Sequence, residues 1–237
     1  MSGFILKWVR DGIITIREKE SGAIVKKKNY DMYLDVDAKF ENKQETALYK
    51  MFILASKEGV LQTKAFQKWC SKHYKKIDDW FTKVDNVTED SMNKNGYAKT
   101  KTIYKRLLFW NIPHDRTVWT DKAYDQCLYV WGFNNFLEDE DNMKEKAAIE
   151  VKLWDEYLIF AAVLGIADRV EKQLKVAIPR YEETSTYNNF PIYYYTHTFA
   201  HNSMSAASSA ASAGQGGSSS FSGGGGGFSG GGGGGVR

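Results

Sequence analysis

Phe4-Ile5-Leu6-Lys7-Trp8-Val9-Arg10-Asp11-Gly12-Ile13-Ile14-Thr15-Ile16 is the stretch on which the fold turns. Phe4, Ile5, Trp8 and Val9 recur at helical spacing, Gly12 is a stop signal, and Ile13 to Ile16 is a run rich in β-branched side chains that favours strand. Ser21-Gly22 reads as a turn and Ala23 to Lys28 as the return strand. Helix, strand, turn and strand in that order is how a winged-helix unit ends. The helices that open such a unit would lie upstream of the first residue, so 1–40 is expected to be a truncated winged-helix-like segment.

Reading onward, Tyr33 to Val36 is a further strand candidate. Gln44 to Ser56 is helical, with Leu48, Met51, Phe52 and Ala55 on one face and Gly59 after it. Thr63 is a fair N-cap for the next helix, whose apolar stripe runs through Phe66, Cys70, His73, Ile77, Trp80 or Phe81, and Val84 over five turns. The polar stretch from Asp85 prolongs this helix to Asn95-Gly96, where the glycine serves as C-cap. Lys99 to Arg116 has weak pattern, basic from Lys101 to Arg106 and apolar from Leu107 to Trp110 before Pro113. It is expected to be an irregular connector with a short helix or strand, and 41–116 is taken as a helical region.

Thr120 caps a helix with a stripe of Tyr124, Cys127 or Leu128, and Trp131, ended by the acidic run Glu138 to Asp141. One long helix is expected from about Met143 to Ile178, where the small residues Ala161, Ala162 and Gly165 allow a neighbour to approach closely. These two make 117–187 a C-terminal helical hairpin. Tyr181 to Tyr195 is aromatic without period, and from about Asn202 the chain is Ser, Ala and Gly, with 14 of its 21 glycines between Gly214 and Gly235. Such composition buries too little surface to offset conformational entropy. Residues 188–237 are accordingly expected to be a disordered aromatic and Gly/Ser-rich tail. The fold class is mainly α (α+β): a winged-helix-like N-terminal hairpin segment packed on a helical bundle.

The chain has 237 residues, 43% of them hydrophobic, enough for one sizeable core or two small ones packed together. Its 32 basic and 29 acidic side chains are interspersed, leaving +3, too weak a field to imply nucleic acid or anionic lipid by itself. Cys70 and Cys127 sit in apolar helical patterns away from any CxxC pair, as buried structural thiols in a reducing compartment would. The longest apolar stretch, Tyr157 to Ala167, falls short of the roughly 20 residues of a membrane span.

Three blocks carry a family resemblance. Trp154-Asp155-Glu156-Tyr157-Leu158-Ile159-Phe160-Ala161-Ala162-Val163-Leu164-Gly165-Ile166-Ala167-Asp168 and, upstream, Gly132-Phe133-Asn134-Asn135-Phe136-Leu137-Glu138-Asp139 are similar to signature elements of the YciQ-like predicted membrane proteins, bacterial domain-of-unknown-function family 2207. Phe221-Ser222 and Phe228-Ser229, each followed by glycines, resemble that family's glycine-rich terminus. Trp8 to Ile16 is more loosely similar to its helix-then-strand stretch. Where the family usually has T-x-x-G, this chain has Thr120-Asp121-Lys122-Ala123, so the helix is expected to begin at once. The resemblance implies the cytoplasmic C-terminal region of a protein held in the cell membrane by spans absent here. It brings no catalytic residues.

The residues themselves offer little chemistry. The terminal glycines lack the strand and helix that a phosphate loop needs. A nucleophile would need a histidine base, and only His73, His114, His197 and His201 are available. His73 reads as a core or boundary histidine. His197 and His201 are four apart yet border the tail, and two ligands do not make a metal site. Asp78-Asp79 and Asp139-Asp141 read as solvated helix ends. No catalytic, cofactor-binding or metal residue is assigned, no cofactor is expected, and the chain is read as a non-enzyme. The expected role is a non-catalytic scaffold or protein-interaction domain, with a protein partner or the protein's own membrane region as its target. The alternative is nucleic-acid binding, with Lys26, Lys27 and Lys28 as wing contacts to phosphate.

Overall fold

The computed structural model describes residues 1–21, 27–107, 110–139, 151–177 and 192–214. Among them the chain is mostly helical, with a three-stranded and a two-stranded antiparallel sheet. In chain order the elements are α1 (Ser2–Arg10), β1 (Ile14–Ser21), β2 (Lys27–Leu34), α2 (Lys43–Ala55), β3 (Val60–Gln62), α3 (Thr63–Lys72) and α4 (Tyr74–Lys94). They continue with β4 (Ala98–Leu107), β5 (Trp110–Trp119), α5 (Asp121–Glu138), α6 (Val151–Leu164), α7 (Ala167–Ala177) and α8 (Ile192–Gly214).

Glycine punctuates this order. Gly12, Gly96 and Gly165 all have positive φ, between 73° and 80°, a conformation that a side chain disfavours. Each stands just past a helix and lets the following amide turn back: Ile13 N–H donates to Trp8 O at 2.8 Å, Tyr97 to Met92 O at 2.9 Å and Ile166 to Ala161 O at 2.9 Å. These are six-to-one closures of the Schellman kind, which satisfy carbonyls the helix end leaves open. Gly12 and Gly96 end their helices as expected. Gly165 corrects the expected single helix from Met143 to Ile178: α6 ends at Leu164 and α7 starts at Ala167. The acidic start of that expected helix, before Val151, lies outside the described residues.

The N-terminal hairpin pairs Ile14 with Leu34 and Ile16 with Met32, while Met32 also faces Leu61 of β3. Period-two alternation puts Ile14, Met32, Leu34 and Leu61 into the core and leaves Thr15, Arg17 and Tyr33 outside, with the Arg17 guanidinium 4.7 Å from the Tyr33 ring. The return strand is described from Lys27, the expected start at Ala23 lying outside the described residues, and it runs on through Tyr33-Leu34, so there is no separate strand there. The expected turn at Ser21-Gly22 extends outside the described residues.

α1 is the centre of the core. Ile5, Leu6, Trp8 and Val9 are buried in it, and Trp8 meets Tyr49 and Phe52 of α2 edge-on at 4.9 and 5.4 Å, with Phe40 tilted against it at 5.8 Å. Asn42 caps α2, its Oδ1 accepting from the Gln44 and Glu45 amides at 2.9 Å each. That cap fixes Glu45 in the first turn, where its Oε1 accepts from Lys7 Nζ at 2.7 Å and from Trp8 Nε1 at 2.8 Å. Gly3 lets α1 lie close to α6: a Cβ there would sit 3.1 Å from Val163 Cγ2.

Three further expectations are corrected. The long helix from Thr63 breaks at His73, which links α3 to α4 with its ring 4.6 Å from that of Trp69, and Gln62 rather than Thr63 takes the N-cap position. The connector from Lys99 to Arg116 is a regular hairpin, β4 with β5, because Thr100, Thr102, Ile103 and Tyr104 favour strand and Pro113 sits in the outer strand of a two-stranded ribbon. Most consequential, the start of the expected disordered tail is α8. Thr196, Phe199, Ala200, Ser203, Ala207 and Ala211 fall on one helical face and are buried. The small Ser and Ala side chains let α8 approach α3 so closely that Ser71 Oγ donates to the Ala206 carbonyl at 3.1 Å. Phe199 stacks on Phe66 with ring centres 5.1 Å apart. The glycine-rich stretch beyond Gly214 lies outside the described residues.

Candidate interaction surface

Thr120 fixes where α5 starts. Its Oγ1 donates to Gly96 O at 2.8 Å and accepts from the Ala123 amide at 3.3 Å, joining the new helix to the end of α4. The helix begins at Asp121, directly after Thr120, as expected. Its far end is held on α7, where Arg169 pairs with Glu138 at 3.0 Å and Gln173 Nε2 donates to the Glu138 carbonyl at 3.1 Å. Near that end Phe133 meets Tyr157 and Phe160 of α6 edge-on at 5.2 and 5.8 Å, and Leu137 is buried.

Between these two attachments the helix is uncovered. Tyr124, Leu128 and Trp131, expected to form a buried stripe, are 65%, 54% and 63% exposed. Cys127 is exposed between them, correcting its reading as a buried thiol. Tyr129 and Val130 are exposed as well, so the first three turns of α5 offer apolar side chains to solvent beside the polar Asp121, Lys122, Asp125 and Gln126. A surface helix normally keeps a polar face outward. The stripe was visible in the sequence; that nothing among the described residues covers it was not, because periodicity identifies a face without saying what meets it.

The other residues singled out by sequence are dispersed. Lys26 lies outside the described residues. Lys27 and Lys28 stand in β2 opposite Ser21 and Glu20. His73 is half-buried beside Trp69, and His114 is exposed on β5. His197 and His201 share the exposed face of α8 with parallel rings 6.3 Å apart, and no group of three metal-ligating side chains occurs among the described residues. Asp78 and Asp79 are exposed on α4, and Asp141 lies outside the described residues. Cys70 is buried under α8 and the aromatic core, and desolvation pushes its thiol up to about 12.

The fold and surface together define an α+β domain with an uncovered apolar helix in its C-terminal half. Residues 107–174 match the model of a family described as "Predicted membrane protein (DUF2207) C-terminal domain", and both blocks of resemblance, Gly132 to Asp139 and Trp154 to Asp168, lie inside that match. No curated protein and no solved structure matches the chain. No helix among the described residues is long and apolar enough to cross a membrane.

Proposed function

We propose that this chain is a non-catalytic interaction domain of a predicted membrane protein, working on the cytosolic side, and that α5 is its docking element. The observation that carries the reading is the uncovered stripe of Tyr124, Leu128 and Trp131 inside the family-matched segment. Exposed apolar patches of this kind mark interaction sites because covering them releases roughly 25 cal/mol for each Å² of apolar surface removed from water. Positions i, i+4 and i+7 are the anchors by which one helix lies along another, so the partner is an apolar protein helix, from a second protein or from the membrane-bound part of the same one. A photo-crosslinking residue at Leu128, in protein expressed in its native membrane, is expected to give an adduct of discrete mass. The same residue at exposed Lys83 of α4 is expected to give none. No adduct at Leu128, or equal labelling at both positions, rejects the reading.

A second reading is favoured by the element order. Helix, strand, two helices and a hairpin, from α2 to β5, is the order of a winged-helix unit, one step later in the chain than the winged-helix-like segment expected at 1–40. In that unit α4 would face nucleic acid and β4–β5 would be the wing. Against it stands the charge of α4, whose exposed Asp78, Asp79, Asp85, Glu89 and Asp90 outnumber its exposed Lys75, Lys76, Lys83 and Lys94. Duplex binding that weakens steeply with salt would support this reading, and its absence removes Lys26, Lys27 and Lys28 as phosphate contacts.

A further inference from the structure

The register of β4 and β5 sorts their side chains onto two faces. One face holds the pairs Lys99–Val118, Lys101–Arg116 and Ile103–His114, and the backbone register continues the series with Lys105 opposite Ile112. The other set is Ala98–Trp119, Thr100–Thr117, Thr102–Asp115, Tyr104–Pro113 and Arg106–Asn111 in the backbone register. The second face leans on the domain only at its base, where Ala98 is buried and Thr117 Oγ1 donates to Glu89 Oε1 of α4 at 3.2 Å, and it is exposed above that at Thr100, Thr102, Tyr104 and Arg106. The first is open to solvent along its length, with Lys99, Lys101, Ile112, His114, Arg116 and Val118 exposed and Ile103 half-buried between them. It alternates cations with β-branched apolar side chains. Asp115, the one acidic residue of the two strands, takes the backbone position opposite Thr102, in the other set.

We propose that this first face of the β4–β5 hairpin docks on an anionic phospholipid surface. Lys99, Lys101 and Arg116 match headgroup phosphates and carboxylates, while Ile103, Ile112 and Val118 match the apolar boundary just beneath. Charge alone suits nucleic acid equally. The apolar half of the pattern does not, because the aliphatic side chains of this face offer no platform for bases. A whole-chain net charge of +3 hides this feature, because acids elsewhere cancel a field that is concentrated on one ribbon. The inference uses neither α5 nor its partner, so it stands or falls separately from the crosslink at Leu128.

The test is co-sedimentation of the full chain with vesicles of phosphatidylcholine containing phosphatidylserine, beside vesicles of phosphatidylcholine alone and a DNA duplex. Binding is expected to the mixed vesicles, weakening as salt rises. Each Lys or Arg near an anionic membrane contributes about fivefold in affinity, so Lys99→Gln, Lys101→Gln and Arg116→Gln together are expected to weaken vesicle binding about 100-fold. The companion variant Lys99→Arg with Lys101→Arg keeps the charges and is expected to bind like the parent, and Ile112→Ser with Val118→Ser to bind several-fold more weakly at any salt. All three sets change exposed or half-covered positions, and circular dichroism identical to the parent confirms that folding is not what is measured. Equal binding to phosphatidylcholine alone, undiminished binding by the glutamine variant, or preference for the duplex overturns the proposal.

Discussion

Glu45 and Trp8, 37 positions apart, are joined by a buried hydrogen bond of 2.8 Å from the indole N–H to the carboxylate, which also holds Lys7 at 2.7 Å. A capping residue, Asn42, aims Glu45, and Glu45 in turn orients the largest side chain of the core. Glu45→Leu leaves the indole donor unsatisfied and is expected to cost about 1–3 kcal/mol, whereas Glu45→Gln keeps an acceptor and is expected to cost less. Urea unfolding of the two variants measures the difference; equal costs would show that the indole bond contributes nothing.

Two glycines in the same region should respond in opposite senses. Gly165 has φ +80° with open space around its Cα, so Gly165→Ala meets only backbone strain, expected at about 1–2 kcal/mol of destabilisation. Gly132 lies inside α5, also with open space, and Gly132→Ala is expected to stabilise by about 0.5–1 kcal/mol. Thermal melts of the pair shifting in the same direction would contradict this placement of the helix ends.

Truncating Phe199 in α8 removes a ring packed on both Phe66 and Phe52. Phe199→Ala is expected to cost about 3–5 kcal/mol. Ala207→Leu forces a larger side chain into a fully buried position of the same helix and is expected to cost about 1–3 kcal/mol. Denaturation midpoints unchanged in both variants would return this segment to an unpacked tail.

The two thiols should separate cleanly. Cys127 is exposed and is expected to react with a maleimide in the native protein, while Cys70 reacts only on unfolding. Mass spectrometry after limited labelling counts the adducts, and a doubly labelled native protein contradicts the burial of Cys70.

Alkaline stability follows from two raised groups. Burial lifts the Cys70 thiol from 9.0 to about 12, and burial with the neighbouring Asp35 charge lifts the Tyr49 hydroxyl, which donates to Asp35 O, from 10.0 to about 12. Both groups are held protonated in the folded state and ionise more easily in the unfolded chain. Their stabilising contribution is therefore full below pH 9, starts to fall as the unfolded groups ionise, and is lost as pH rises through about 12. Cys70→Ala with Tyr49→Phe is expected to flatten the fall in melting temperature across that window, and an unchanged slope would assign it to other groups.

What was legible from sequence was local. Gly12, Gly96 and Thr120 stop or start helices through backbone conformation and a single hydroxyl, and the alternation in Ile14 to Ile16 places a strand, because these preferences act within a few residues. The family blocks were legible for the same reason, being contiguous. Three things needed the folded chain. The Ser and Ala face of α8 resembles linker composition until α3 is there to meet it, and its stability comes from that contact rather than from propensity. The stripe on α5 has the spacing of a core helix, and only the arrangement of its neighbours leaves it uncovered. The basic ribbon of β4 and β5 emerges only when antiparallel pairing sets Lys99 and Lys101 of one strand beside Arg116 of the other, across a separation that no local pattern spans. Sequence determined where elements begin and end; tertiary structure decided which faces are buried and which are offered to a partner, since burial is a property of pairs of elements and not of either alone.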